Sequence, residues 1–149
     1  MNYLQHALGR NLVFTAKALR AAFEEALAQN GGSLGTWIVL SALSDVGCVS
    51  QAALATHVHL EGATITHHID RLESLGLVLR LADPDDRRVR LLELTEAGAE
   101  LYTRLLAAAK EFENEILDGV SADDRTVLQT ALARIRSNIT ARAETPSAA

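Results

Sequence analysis

The chain has 149 residues, 48% hydrophobic, 22% charged and only 4% aromatic, which suits one globular domain or two small intimate lobes. Fourteen Lys and Arg against nineteen Asp and Glu leave a net charge of −5, so any nucleic-acid contact must come from a local basic patch, not from bulk charge. One cysteine, two prolines and no unbroken apolar run of roughly 18 residues exclude a disulfide or cysteine-rich zinc framework, a collagen-like chain and a membrane-spanning helix. Residues 1–10 lack a charged leader followed by an apolar core, which predicts a cytoplasmic protein.

Leu4, Leu8, Leu12, Leu19, Phe23 and Leu27 recur at helical spacing and predict a first helix over residues 3–29, ended by Asn30-Gly31-Gly32. Ser33 caps a second helix carrying Trp37, Leu40 and Leu43 to residue 43 or 44, and Asp45-Val46-Gly47 reads as a turn. Cys48-Val49 suits a short extended pairing segment. Ser50 caps a third, short helix with Ala53, Leu54 and Val58 inward. A turn at His59-Leu60 leads to a fourth helix over residues 61–75, closed by Gly76. The period then changes. Residues 77–81 and 89–94 alternate as strands around a polar hairpin, Ala82-Asp83-Pro84-Asp85-Asp86-Arg87-Arg88. Thr95 caps a fifth helix with Leu101, Leu105, Ala108, Phe112 and Ile116 on one stripe, stopped by Asp118-Gly119. Ser121 caps a sixth, with Leu128, Leu132, Ile135 and Ile139 on another, and residues 143–149 read as a frayed tail. The order is that of a mainly α fold with a small β wing, a winged helix-turn-helix.

With Ile65 placed at zero on the fourth helix, about 100° per residue puts Ile69 and Leu72 on its buried side and Ala63, His67 and Asp70 outward. Thr66 takes one flank of that outward face; Thr64 and Arg71 take the other. Small, hydrogen-bonding residues on a helix packed at its back suit a major groove, although a solvated face has the same pattern. The hairpin weighs toward DNA. Arg87 and Arg88 project from its tip, with Arg80 and Arg90 on the flanking strands, and arginine suits the enhanced negative potential of a minor groove. Asp83, Asp85 and Asp86 nearly cancel this charge, so the patch is pointed, and one of them is expected to orient an arginine.

The run Asp83-Pro84-Asp85-Asp86-Arg87-Arg88-Val89-Arg90-Leu91-Leu92-Glu93-Leu94-Thr95-Glu96-Ala97-Gly98 resembles the wing of MarR-type transcriptional regulators. Leu54-Ala55, Ala63-Thr64-Ile65-Thr66, Ile69-Asp70-Arg71-Leu72-Glu73 and Leu75-Gly76-Leu77-Val78 are similar to that family's helix-turn-helix. Trp37-Ile38-Val39-Leu40 falls at its Trp-x-Val-Leu run. The resemblance covers nearly the whole chain. It implies one MarR-type domain over residues 1–149, with a winged DNA-binding lobe over 33–95 and a helical dimerisation region over 1–30 and 96–142. It implies a homodimer on a palindromic DNA operator, with Ala63, Thr64, Thr66, His67, Asp70, Arg71, Arg87 and Arg88 at the DNA. The long apolar stripes of the terminal helices agree, since one small monomer has no means to bury them all. Many relatives are repressors released by phenolic or other aromatic anions bound between the dimer helices and the lobe. Arg10, Asn11, Phe14 and Trp37 are the corresponding candidates here.

Several positions depart from the family pattern. His67 stands where many relatives place Arg, which predicts a weaker or pH-sensitive contact. His59 occupies a turn position often filled by Gly, and Gly62 replaces a bulkier polar residue, removing one expected phosphate contact. His57, His59, His67 and His68 invite a metal reading, but His67 and His68 diverge by about 100° on their helix and the fifth helix supplies no further His, so no metal or other cofactor is expected. Cys48 is expected to be a small packing residue, because redox-sensing relatives carry their cysteine near the start of the first helix. No Gly-rich phosphate loop, metal-spacing motif or nucleophile–base pair favours an enzyme. The alternatives are an activator or ligand-independent regulator of the same fold, and a helical protein-interaction module without DNA binding.

Overall fold

A computed structural model describes residues 7–58 and 62–144, which fall into two compact units, residues 1–113 and 114–149. The elements are α1 (Leu8–Gln29), α2 (Leu34–Val46), β1 (Val49–Ser50), α3 (Gln51–Val58), α4 (Gly62–Ser74), β2 (Val78–Ala82), β3 (Arg90–Leu94), α5 (Glu96–Ile116) and α6 (Ala122–Glu144). The strands form an antiparallel sheet in the order β1-β3-β2, with Val49 opposite Leu92 and Arg80 also opposite Leu92 across the other edge. This is a winged helix-turn-helix of mainly α class. No described helix is long and apolar enough to cross a membrane.

The boundaries follow from local chemistry. Ser33 Oγ accepts the Thr36 amide at 3.2 Å, Ser50 Oγ that of Ala53 at 3.2 Å, and Ser121 Oγ that of Asp124 at 3.1 Å, each satisfying an orphan donor of a first turn. The α2 helix runs to Val46, beyond the expected stop at residue 43 or 44. Its end waits for a residue able to adopt the left-handed region, Gly47 at φ 72°. At the other terminus α6 continues to Glu144, past the expected fraying at residue 143. The expected turn at His59-Leu60 lies outside the described residues, as do residues 1–6 and 145–149.

In the first unit one core joins α1 to α5 through Leu27, Val39, Leu40, Leu43, Leu54, Ile65, Ile69, Leu72, Val78, Leu92, Leu101 and Leu105. Burying each such side chain contributes roughly 1.5–3 kcal/mol. An aromatic cluster extends it: Trp37 stacks on Tyr102 at 5.9 Å and meets Phe23 edge-on at 6.2 Å, and Phe23 lies 5.2 Å from Phe112. Ala53 is exposed, contrary to expectation, because α3 turns Leu54 inward and its neighbour sits about 100° away. Cys48 is also exposed, contrary to expectation; it stands on the turn between Gly47 and β1, outside the packed faces.

The base of the wing is clasped to α5. Thr95 Oγ1 donates to the Gly76 carbonyl at 2.7 Å and accepts the Gly98 amide at 3.0 Å, while the Thr95 amide donates to Leu77 at 3.2 Å. A Cβ on Gly98 would run into the Leu77 carbonyl oxygen, so this approach requires glycine. In the second unit, Arg125 closes the turn before α6 by donating to the Val120 and Leu117 carbonyls, both at 2.9 Å.

Candidate nucleic-acid interface

The α4 helix is packed at its back and open at its front. Ile65, Ile69 and Leu72 are buried, whereas Ala63, Thr64, His67, Asp70 and Arg71 are exposed and Thr66 is half-buried. The rotation is the one read from the apolar spacing. The two flanks of the open face differ sharply in their partners.

On one flank, Thr66 Oγ1 donates to the Gly62 carbonyl at 2.7 Å and accepts from Gln51 Nε2 at 2.7 Å. The other end of the Gln51 amide, Oε1, lies 3.5 Å from Arg80 Nη2. Arg80, on β2, forks onto Asp70 at 2.5 Å and onto Glu73. Its side chain is only 22% exposed, so it belongs to the body of the lobe. Burial pulls its pKa down, but the hydrogen bond to Asp70 and the charges of Glu73 and Asp70 outweigh this and hold it above the ordinary arginine value. Arg80 therefore adds nothing to the outward basic patch in which sequence had placed it; its charge is taken up by two carboxylates of α4. Gln51 was missed altogether. No sequence signal points to Gln51; for Arg80 the signal is the pair of acids three residues apart on α4, Asp70 and Glu73.

In the wing, the aspartates shape backbone. Asp83 Oδ1 accepts the Asp85 amide at 2.8 Å and the Asp86 amide at 3.4 Å, and Asp86 Oδ1 accepts the Arg88 amide at 2.9 Å. Among the described residues no carboxylate lies within ion-pair distance of Arg87 or Arg88, and both are exposed. The expected orienting of an arginine by a wing aspartate is replaced by this backbone role of Asp83 and Asp86, and the two guanidinium groups stay exposed.

The other flank of α4 borders a cleft of about 390 Å³. Its walls are Arg20 and Glu24 of α1, residues 33–36 and Ile38 at the start of α2, and Thr64, His67, His68 and Arg71 of α4. A Cβ on Gly35 would sit within the His68 imidazole, so glycine makes room for that ring. Arg20, Arg71 and the amino end of α2 outnumber the one carboxylate of the lining, Glu24, which leaves the cleft attractive to an anion. The four effector candidates lie elsewhere. Trp37 is held by Phe23 and Tyr102, Arg10 lies over the Phe14 ring at 5.4 Å, Asn11 is on the same exposed stretch of α1, and none of the four lines the cleft. Among the described residues no group of three or more His, Cys, Asp or Glu converges on a metal position, and His59 lies outside them.

The MarR family model matches residues 33–89, from the α2 cap to the end of the wing loop. The chain belongs to the MarR family. It is 38% identical over 91 residues to an uncharacterised HTH-type transcriptional regulator of Bacillus subtilis strain 168, YdgJ, over 61% of this chain and 56% of that protein. The matched stretch thus spans little more than half the length of that relative. The chain is also similar to the crystal structure of a probable transcriptional regulator from Pseudomonas aeruginosa, with 32% identity and a TM-score of 0.80, covering 89% of this chain and 98% of that one. A further similar structure is the transcriptional repressor CouR bound to a 23-mer DNA duplex, at 26% identity and a TM-score of 0.83, covering 91% and 96%.

Proposed function

We propose that this MarR-family chain is a sequence-specific DNA-binding transcription regulator, a cytoplasmic homodimeric repressor that leaves a palindromic operator when a small organic anion binds. The carrying observation is the pairing of an open α4 face, Ala63, Thr64, His67 and Arg71, with a wing whose Arg87 and Arg88 are free of acid partners among the described residues. The first set suits base edges in a major groove; the second suits phosphates and a minor groove. Dimerisation is supported by apolar side chains left uncovered in each unit: Leu8, Val13 and Phe14 on α1, and Val127, Leu128 and Ile139 on α6. Release by an anion is supported by the cleft, because an occupant there touches Thr64, His67 and Arg71, which the operator also needs. No residue is assigned a catalytic role.

Selection of bound duplexes from a random library tests this reading. It predicts a two-fold symmetric sequence with half-sites about one helical turn, 10–10.5 bp, apart. Arg87→Ala is expected to weaken all selected duplexes alike and to lower the log–log salt slope by about one unit per wing. A selection that enriches nothing, even at low salt, would favour the interaction-module alternative.

A further inference from the structure

Thr66, Asp70 and Glu73 are spaced by four and three residues and share one stripe of α4. All three are tied, directly or through Gln51, to Arg80 on β2, a strand residue outside the helix-turn-helix itself. An uncompensated Asp70 at the centre of the open face would repel phosphates, or else would accept a hydrogen bond from a cytosine amino group. Arg80 counters both, with Asp70 Oδ1 engaged in the ion pair and the Asp70 side chain 56% exposed. Its fork neutralises the carboxylate, and the Gln51 amide fixes the Thr66 hydroxyl, whose own proton is already donated to Gly62.

On the reading that α4 enters a groove, we propose that Arg80 is the positioning residue of DNA recognition: it withdraws the Thr66–Asp70–Glu73 stripe from base readout and leaves the specificity to Ala63, Thr64, His67 and Arg71. Arg80 then acts through α4 and needs no contact with DNA. The raised pKa of the guanidinium means that its charge is fully present below the ordinary arginine value, so the clamp does not titrate on its basic side in the neutral range.

The full-length dimer, its selected operator and a set of single-base variants of that operator provide the test. Arg80→Met keeps the stem and deletes the charge; it is expected to weaken operator binding by at least about tenfold, since it leaves a bare carboxylate facing phosphates. Its salt slope should change less than that of Arg87→Ala, because no phosphate contact is lost. Adding Asp70→Asn to Arg80→Met should recover binding to within about threefold of wild type, whereas a residue that merely stabilised the lobe would gain nothing from losing a second partner. Asp70→Asn alone, which leaves the Arg80–Glu73 pair in place and does not depend on the Arg80→Met lobe folding, should tighten every duplex by the same factor with the base ranking kept. A double variant no better than Arg80→Met, or a changed base ranking with Asp70→Asn alone, overturns the assignment while leaving DNA binding intact. A wild-type chain that selects no duplex overturns the operator reading, and the assignment with it.

Discussion

The two flanks of α4 are built from the same helix and the same packed back, yet they are held in opposite ways. The Thr66–Asp70–Glu73 flank is tied by Gln51 and Arg80 into α3 and β2, so its side chains have fixed partners. The Thr64–His67–Arg71 flank faces the cleft, whose far wall belongs to α1 and α2. The first arrangement fixes how the helix is rotated; the second leaves side chains free to meet either DNA or an occupant of the cleft. A regulator needs both, because readout requires a fixed frame and release requires a part that has alternatives.

The most damaging change is one that removes what the flanks share. Ile69 is fully buried between them, and Ile69→Ala is expected to cost about 2–5 kcal/mol of stability through lost burial and an unfilled cavity. Chemical denaturation should show the loss as a lower midpoint with an unchanged slope. A cost under about 1 kcal/mol would mean that α4 is seated by its polar ties and not by its core face.

A pair of smaller changes separates the flanks. His67→Ala should re-rank base preference at one operator position, by about 1–3 kcal/mol of discrimination. Thr66→Val breaks the tie to Gln51, and should weaken every duplex by a common factor while preserving their order. Binding of both variants to a single-base substitution series decides the matter. Re-ranking by Thr66→Val would place that hydroxyl at a base and erase the distinction between the flanks.

This contrast was only half visible in the sequence. The buried face of α4 follows from Ile65, Ile69 and Leu72 at helical spacing, and the Ser33, Ser50, Thr95 and Ser121 caps each stand one residue before their helix, because both signals are local. The ties are not local. Gln51 and Arg80 are 29 residues apart, and no periodicity connects them. The same limit explains Arg80, which sequence reads as one more wing cation because its charge is visible and its partners are not. The cleft likewise draws on residues from Arg20 to Arg71 in three helices, so the aromatic and basic residues that drew attention on α1, Arg10 and Phe14, were not those that line it. Trp37 reads from sequence as core more often than as ligand platform; in the structure Phe23 and Tyr102 occupy two of its sides.

The finest comparison uses the helix caps. Ser33 starts α2 on the cleft side and Ser50 starts α3 on the tied side, and each hydroxyl accepts one backbone amide at 3.2 Å. Replacing either by alanine should cost about 1 kcal/mol, a shift of a few degrees in the unfolding midpoint. Their effects on operator binding should differ. Gln51 is the first residue of α3, so a frayed first turn after Ser50→Ala loosens the anchor of Thr66 and weakens all duplexes by a few-fold, about the effect of half a hydrogen bond. Ser33→Ala frays α2 at the wall of the cleft, where Ser33 also shares a hydrogen bond with Thr36 at 3.0 Å; among the described residues that turn meets α4 through the packing of Gly35 on His68 and makes no hydrogen bond to it. Its operator affinity should therefore stay nearer to wild type than that of Ser50→Ala at equal loss of stability. Equal losses of affinity from the two caps would mean that the frame extends around both sides of α4, and that the cleft wall is as much a part of it as the wing strand.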